Sequence, residues 1–115
     1  MSNVRNRVQL VGNLGSAPEL KVFENNKLVR FSVATTEYKK NKAGESINET
    51  QWHNVIAWGK LAEMAEQNFE KGSRVFIDGK LVNRSYTDKE GNKRYVTEVV
   101  ANDAYLVTKQ QQAAS

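Results

Sequence analysis

Both tryptophans of the chain fall within residues 49–60, ETQWHNVIAWGK, six positions apart. That even spacing is a strong constraint in a strand, where successive side chains point to opposite faces of the pleat. Read as a strand, the stretch sets Thr50, Trp52, Asn54, Ile56 and Trp58 on one face and Gln51, His53, Val55 and Ala57 on the other. The two indoles then stand about 20 Å apart on one surface, at roughly 3.3 Å per residue. Such a face has two uses. A Trp/Ile/Trp row is apolar enough to be core. Left exposed, two flat rings in a row suit a chain of unpaired bases, each with a π-face to stack.

Composition narrows the rest. A chain of 115 residues builds one domain with a single modest core. Hydrophobic content of 39%, charged content of 26% and one proline describe a folded globular chain. No apolar run approaches the roughly 20 residues needed to span a bilayer. The start, MSNVRNRVQL, lacks the apolar core of a signal peptide, so the expected location is cytoplasmic. The absence of cysteine excludes disulfides and thiolate metal sites. With one histidine, no phosphate-binding glycine loop and no clustered His/carboxylate set, no catalytic residues, metal or cofactor are expected, and the chain does not read as an enzyme. A net charge of +4 leans towards a polyanionic partner, although the distribution of charge matters more than its sum.

Along the chain, Val8 and Leu10 alternate with Arg7 and Gln9 in a half-buried strand pattern. Gly15, Ser16 and Pro18 punctuate a loop, and residues 19–23 form a short strand before an Asn25-Asn26 turn. In residues 27–36, Val29, Phe31, Val33 and Thr35 share one face of a strand. Residues 38–48, YKKNKAGESIN, read as an exposed loop or flexible hairpin arm able to fold over a ligand on the tryptophan face. Leu61, Met64, Ala65 and Phe69 make a core stripe on a helix over residues 61–71, with Gly72 as its C-terminal cap and Lys71 at the negative end of its dipole. In residues 73–86, Val75, Ile77 and Leu81 point inwards. Arg74, Phe76, Asp78, Lys80, Val82, Arg84 and Tyr86 point outwards; the interleaved cations and rings suit a single-strand groove and equally an ordinary solvent-exposed strand face. DKEGNK is a hairpin turn around Gly91, and residues 94–107 are the last strand.

Five main strands, with one helix between the third and fourth, give an all-β chain with the element order of the OB-fold, a five-stranded barrel. The expected organisation is a single barrel domain over residues 1–108 and a short disordered end over 109–115. Fold alone does not fix function. The blocks VQLVGNLGSAPEL, FSVATTE, TQWHNVIAWGKLAE, KGSRVFIDGKL and YVTEVV go further. In order and spacing, over about residues 4–107, they resemble the bacterial-type single-stranded-DNA-binding proteins.

That resemblance implies a protein that coats single-stranded DNA, without sequence specificity, in replication, recombination and repair, as a nucleoid-associated homotetramer with no membrane partner. By position it makes Tyr38, Trp52, Trp58 and Tyr86 the base-stacking residues. The family usually has tryptophan at the first and last of these and commonly phenylalanine at the third. Asn54 and Ser85 stand where the family is often basic. Lys39, Lys40, Lys42, Lys60, Lys71, Arg84 and Arg94 are the candidates for phosphate binding. Val8, Leu10 and His53 are expected at subunit interfaces. The family's Gly/Pro/Gln-rich linker and acidic tip recruit replication and repair proteins. Residues 109–115 hold one lysine and no carboxylate, so such recruitment is not expected of this chain. Two alternatives stand beside this reading: a primosomal replication-restart OB-fold adaptor, and a barrel that binds oligosaccharide or protein.

Overall fold

A computed structural model describes residues 5–107. The alternating stretches become β1 (Val8–Leu14), β2 (Glu19–Val22), β3 (Lys27–Lys40), β4 (Ser46–Trp58), β5 (Arg74–Thr87) and β6 (Lys93–Leu106), with α1 (Gly59–Asn68) between β4 and β5. The strands follow the order β1-β5-β6-β4-β3-β2, and β1 also pairs with β3 through Asn13↔Ala34 and Leu14↔Val33. That second pairing closes five strands into the OB-fold barrel and leaves β2 outside as a short edge strand. Two seams are short: β1–β3, and β4–β6, whose strands run parallel and meet only at Val55↔Val99 and Ile56↔Val100.

The interior is filled from the alternating faces. Val29, Phe31 and Val33 of β3, Val55 and Ala57 of β4, Val75 and Ile77 of β5, and Val99, Ala101 and Ala104 of β6 form one buried cluster. Helix α1 joins it with Ala62, Ala65 and the following Phe69, whose ring meets Phe31 edge-on at 5.8 Å and 89°. Leu61 and Met64 are only partly buried against this cluster. The helix is shorter at its end than expected. Phe69 is already extended, with φ −94° and ψ 140°, and its N–H donates to Ala65 O at 2.8 Å. Gly72 therefore caps no helix. It has φ +88° in the following turn, where its N–H donates to Leu14 O at 2.9 Å, and Lys71 lies beyond the helix dipole.

Of the two readings of residues 38–48, the hairpin arm holds and the exposed loop does not, and the reading of β5 is corrected. Residues 38–48 are largely strand, because β3 and β4 pair without a break from Leu28↔Trp58 to Lys40↔Ser46 and only residues 41–45 turn. This arm and the β5–β6 arm, paired out to Thr87↔Lys93, both run past the barrel. The outward face of β5 is not one groove. The pairing of β1 with β5 stops at Val8↔Gly79, so the outer half of β5 has a strand neighbour on one side only, and Leu81, expected in the core, is 46% exposed. In the barrel half, Arg74 donates to Asn13 Oδ1 at 3.0 Å and Phe76 stacks on Tyr105 at 5.0 Å. Only the outer half of β5, with Arg84 and Tyr86, reaches the face described next.

Candidate nucleic-acid interface

Direct cross-strand partners share a face, so the pairs Ala34↔Trp52, Ser32↔Asn54, Arg30↔Ile56 and Leu28↔Trp58 define one surface of the β3–β4 hairpin. Tyr38 lies further along the same face of β3. Burial separates the two uses of the tryptophan row. Ile56 is 6% exposed, whereas Trp52 is 61% and Trp58 45% exposed. Tyr38 at 76% and Tyr86 at 49% complete a set of four open rings. Trp52 lies over Gly15, where a Cβ would stand 2.5 Å from its Cζ3 atom. The loop after β1 must therefore be bare of side chain at that point.

Between the rings lies a cleft of about 710 Å³, with Ser32, Asn54, Arg30, Arg84, Tyr86 and Glu98 among its walls. Glu98 is the only buried charged residue among those described, at 3% exposure. Two guanidinium groups hold it. Arg84 Nε donates to Oε1 at 2.7 Å and Nη2 to Oε2 at 3.3 Å, while Arg30 Nη1 donates to Oε2 at 2.8 Å. The Arg84 hydrogen bond holds the carboxyl below its usual range, helped by the charges of Arg84 and Arg30 and opposed by burial. Sequence reasoning missed Arg30 and Glu98. The available signal was a carboxylate inside the apolar run YVTEVV, because a buried acid needs a partner.

The candidate cations divide. Arg84 is engaged by Glu98, Lys39 by Glu49 and Arg94 by Asp88. Hydrogen bonding to Glu49 raises the Lys39 ammonium above its usual range, and Arg94 lowers the Asp88 carboxyl. Among the described residues, Lys40, Lys42, Lys60 and Lys71 form no ion pair. Lys40 and Lys42 are at the tip of the β3–β4 arm, Lys60 opens α1, and Lys71 sits in the turn before β5. Asn54 lines the cleft, whereas Ser85 alternates to the other face of β5.

The remaining candidates lie elsewhere. His53 is half-buried on the face opposite Trp52 and is hydrogen-bonded through Nε2 to Thr35 Oγ1 at 2.9 Å. Val8 and Leu10 are partly buried against the core of their own barrel. No group of three or more metal-type ligands occurs among the described residues, and no helix among them is long and apolar enough to cross a membrane. Residues 109–115 lie outside the described part.

Fold and face together define an OB-fold barrel with an open aromatic surface. The chain belongs to the single-strand binding protein family, whose model matches residues 5–107. It is 42% identical over 108 residues to single-stranded DNA-binding protein 1 of Xylella fastidiosa, covering 92% of this chain and 79% of that one. It is 39% identical over 109 residues to single-stranded DNA-binding protein 1 of Chlorobaculum tepidum, covering 93% and 67%. Among solved structures it is similar to the Plasmodium falciparum SSB in complex with ssDNA, at TM-score 0.84 and 23% identity over 94% of this chain and 99% of that one. A deletion mutant of the single-stranded DNA binding protein from Thermus aquaticus gives 0.79 at 24% identity, over 91% of this chain and 51% of that one. At such identities the structural likeness speaks for the fold alone.

Proposed function

We propose that this chain binds and coats single-stranded DNA without sequence specificity, in replication, recombination and repair, and performs no chemistry of its own. One observation carries the reading. Trp52 and Trp58, which hydrophobicity alone would bury, stand 61% and 45% exposed on one face. Large open rings in a row have no use in folding and an evident one in stacking bases. Tyr38, Trp52, Trp58 and Tyr86 take the bases. Lys40, Lys42, Lys60 and Lys71 neutralise phosphates, and Lys39, Arg84 and Arg94 contribute through the donors that their carboxylate partners leave free. Stacking tolerates any base, which accounts for the lack of specificity. The intact row of rings favours coating over the replication-restart adaptor.

The relatives' names, both of single-stranded DNA-binding proteins, support the choice of ligand. The test is a titration of intrinsic fluorescence with oligo-dT and with duplex of equal length at two salt concentrations. Single strands should quench strongly and duplex weakly, and affinity should fall with salt at a slope of about −0.7 per phosphate neutralised. Equal quenching by duplex, or an affinity indifferent to salt, would overturn the reading.

A further inference from the structure

Beyond the four rings above, Phe23 and Tyr95 are also exposed, and Phe23 adjoins the tryptophan row. Phe23 is 50% exposed, and its ring stacks on Trp58 with centroids 6.0 Å apart and planes inclined by 30°. The turn that carries the ring is fixed by hydrogen bonds of its backbone. Phe23 N–H donates to Asn26 O at 2.7 Å, Asn26 N–H returns to Phe23 O at 3.4 Å, and Asn26 Oδ1 accepts the Lys27 N–H at 2.9 Å. The turn also abuts the start of α1, because a Cβ on Gly59 would lie 3.7 Å from Asn26 Oδ1. An ion pair of 2.8 Å between Lys27 and Glu63 ties β3 to the same helix. Phe23 thus widens the Trp58 platform from one ring to two, on a backbone already fixed before a ligand arrives.

Beside it opens a cleft of about 410 Å³, lined by Phe23, Asn25, Asn26, Gly59, Lys60 and Glu63. It combines an apolar ring, amide donors and acceptors, the Lys60 ammonium, which forms no ion pair among the described residues, and two carboxylates, of which Glu63 is paired with Lys27 and Glu24 stands on the same turn as Phe23. A nucleotide asks for two of these: a ring face for its base and a cation for its phosphate.

We propose that Phe23 and this cleft form a further nucleotide subsite, reached by the strand after it has stacked on Trp58. The base lies against Phe23 and the phosphate meets Lys60. This inference rests on the single-strand reading above, and its test is built to fail separately from it. Binding of an oligo-dT length series is measured for the wild type, Phe23→Ala, Phe23→Leu, Phe23→Tyr and Trp52→Ala. Phe23→Ala and Phe23→Leu should weaken binding about tenfold, but only for strands long enough to pass Trp58, while Phe23→Tyr keeps wild-type affinity at every length. Lys60→Gln should lower the salt slope by about 0.7 with the same long strands.

Three outcomes overturn the proposal. If Phe23→Ala and Phe23→Leu bind all lengths like the wild type while Trp52→Ala is weakened, the subsite is absent and the single-strand reading stands. Equal weakening at all lengths would make Phe23 a positioning residue for Trp58 and not a base contact. If Trp52→Ala binds normally as well, both readings fall together.

Discussion

A tryptophan on a strand face is either core or tool, and truncation distinguishes the two. Because Trp52 and Trp58 are open to solvent, removing either leaves no cavity in the cluster around Val55 and Ala57. Trp52→Ala and Trp58→Ala should each cost about 1–3 kcal/mol of single-strand binding while urea unfolding midpoints stay close to wild type. Loss of fold with binding otherwise retained would restore the core reading. Gly15 allows a finer test of the same ring. A methyl group there would stand 2.5 Å from Trp52 Cζ3 and 3.0 Å from Ser32 Oγ. The indole is the movable partner because it is 61% exposed, so Gly15→Ala should turn it from its seat at a stability cost of about 1 kcal/mol or less. Single-strand affinity should fall several-fold, with quenching by bound DNA reduced. Unchanged quenching in that variant would mean that the ring's present position is not the one that stacks.

Among the elements, β4–β6 is one of two short joins, with two residue pairs like β1–β3, and the Glu98 cluster reinforces it. Glu98 immediately precedes Val99, Arg30 lies opposite Ile56, and both neighbours belong to that seam. The carboxylate therefore links β3, β5 and β6 across the outside of β4. Its folded-state pKa lies below the ordinary value of 4.5, so the cluster's contribution is present above about that pH. As pH falls, the unfolded chain takes up the proton first, and the contribution is lost by the time the folded carboxyl titrates. Urea midpoints should drop steeply below pH 4.5. Glu98→Gln should be less stable at pH 7, by about 1–3 kcal/mol, and should lose less on acidification. Its remaining acid loss comes from Glu63 and Asp88, held low by Lys27 and Arg94. Parallel acid profiles for the two proteins would show that Glu98 carries none of the effect. The same elements explain what the sequence could and could not disclose. In the barrel one face of each strand is buried, so Val29, Phe31, Val33, Val75 and Ile77 alternate legibly. In the arms neither face is buried, and residues 38–48 carry no alternation to read. Their register comes from the tips. Asn41 Oδ1 accepts the N–H groups of Ala43 and Glu45, and Asp88 Oδ1 those of Glu90 and Asn92, before glycines at φ +81° and +85°. The paired motifs NKAGE and DKEGN are both visible, DKEGN as a turn between strands and NKAGE within a stretch that reads either as a loop or as a hairpin arm. The exposed rings proposed to stack on bases are legible by alternation and resemblance. Arg30, Glu98 and Phe23 are not, because their roles come from contacts between distant strands and turns.

At the scale of the whole molecule, the arms make the chain larger than a compact domain. Its radius of gyration is 16.2 Å, against roughly 13 Å for a globule of this length. Two other surfaces lack cover. On the side away from β5, β1 pairs with β3 only at Asn13 and Leu14, so its backbone from Val8 to Gly12 offers an open edge. Across the outer face run Val11, Phe76 and Tyr105, neighbours by register on three strands, with Val11 and Tyr105 each 44% exposed. Open edges and apolar rows are liabilities in a lone barrel and normal features of an assembly. We propose a homotetramer in which β1 edges pair two copies and the Val11 row packs the resulting dimers. His53 and the half-buried Val8 and Leu10 lie on elements adjoining these contacts. Light scattering at micromolar concentration should give four times the chain mass. Val11→Lys places an ammonium in the apolar row and should leave the β1 edge intact, so the expected product is a dimer that still quenches with single-stranded DNA. A wild-type monomer would refute the assembly outright. A tetramer unaffected by Val11→Lys would move the second contact to another face of the barrel.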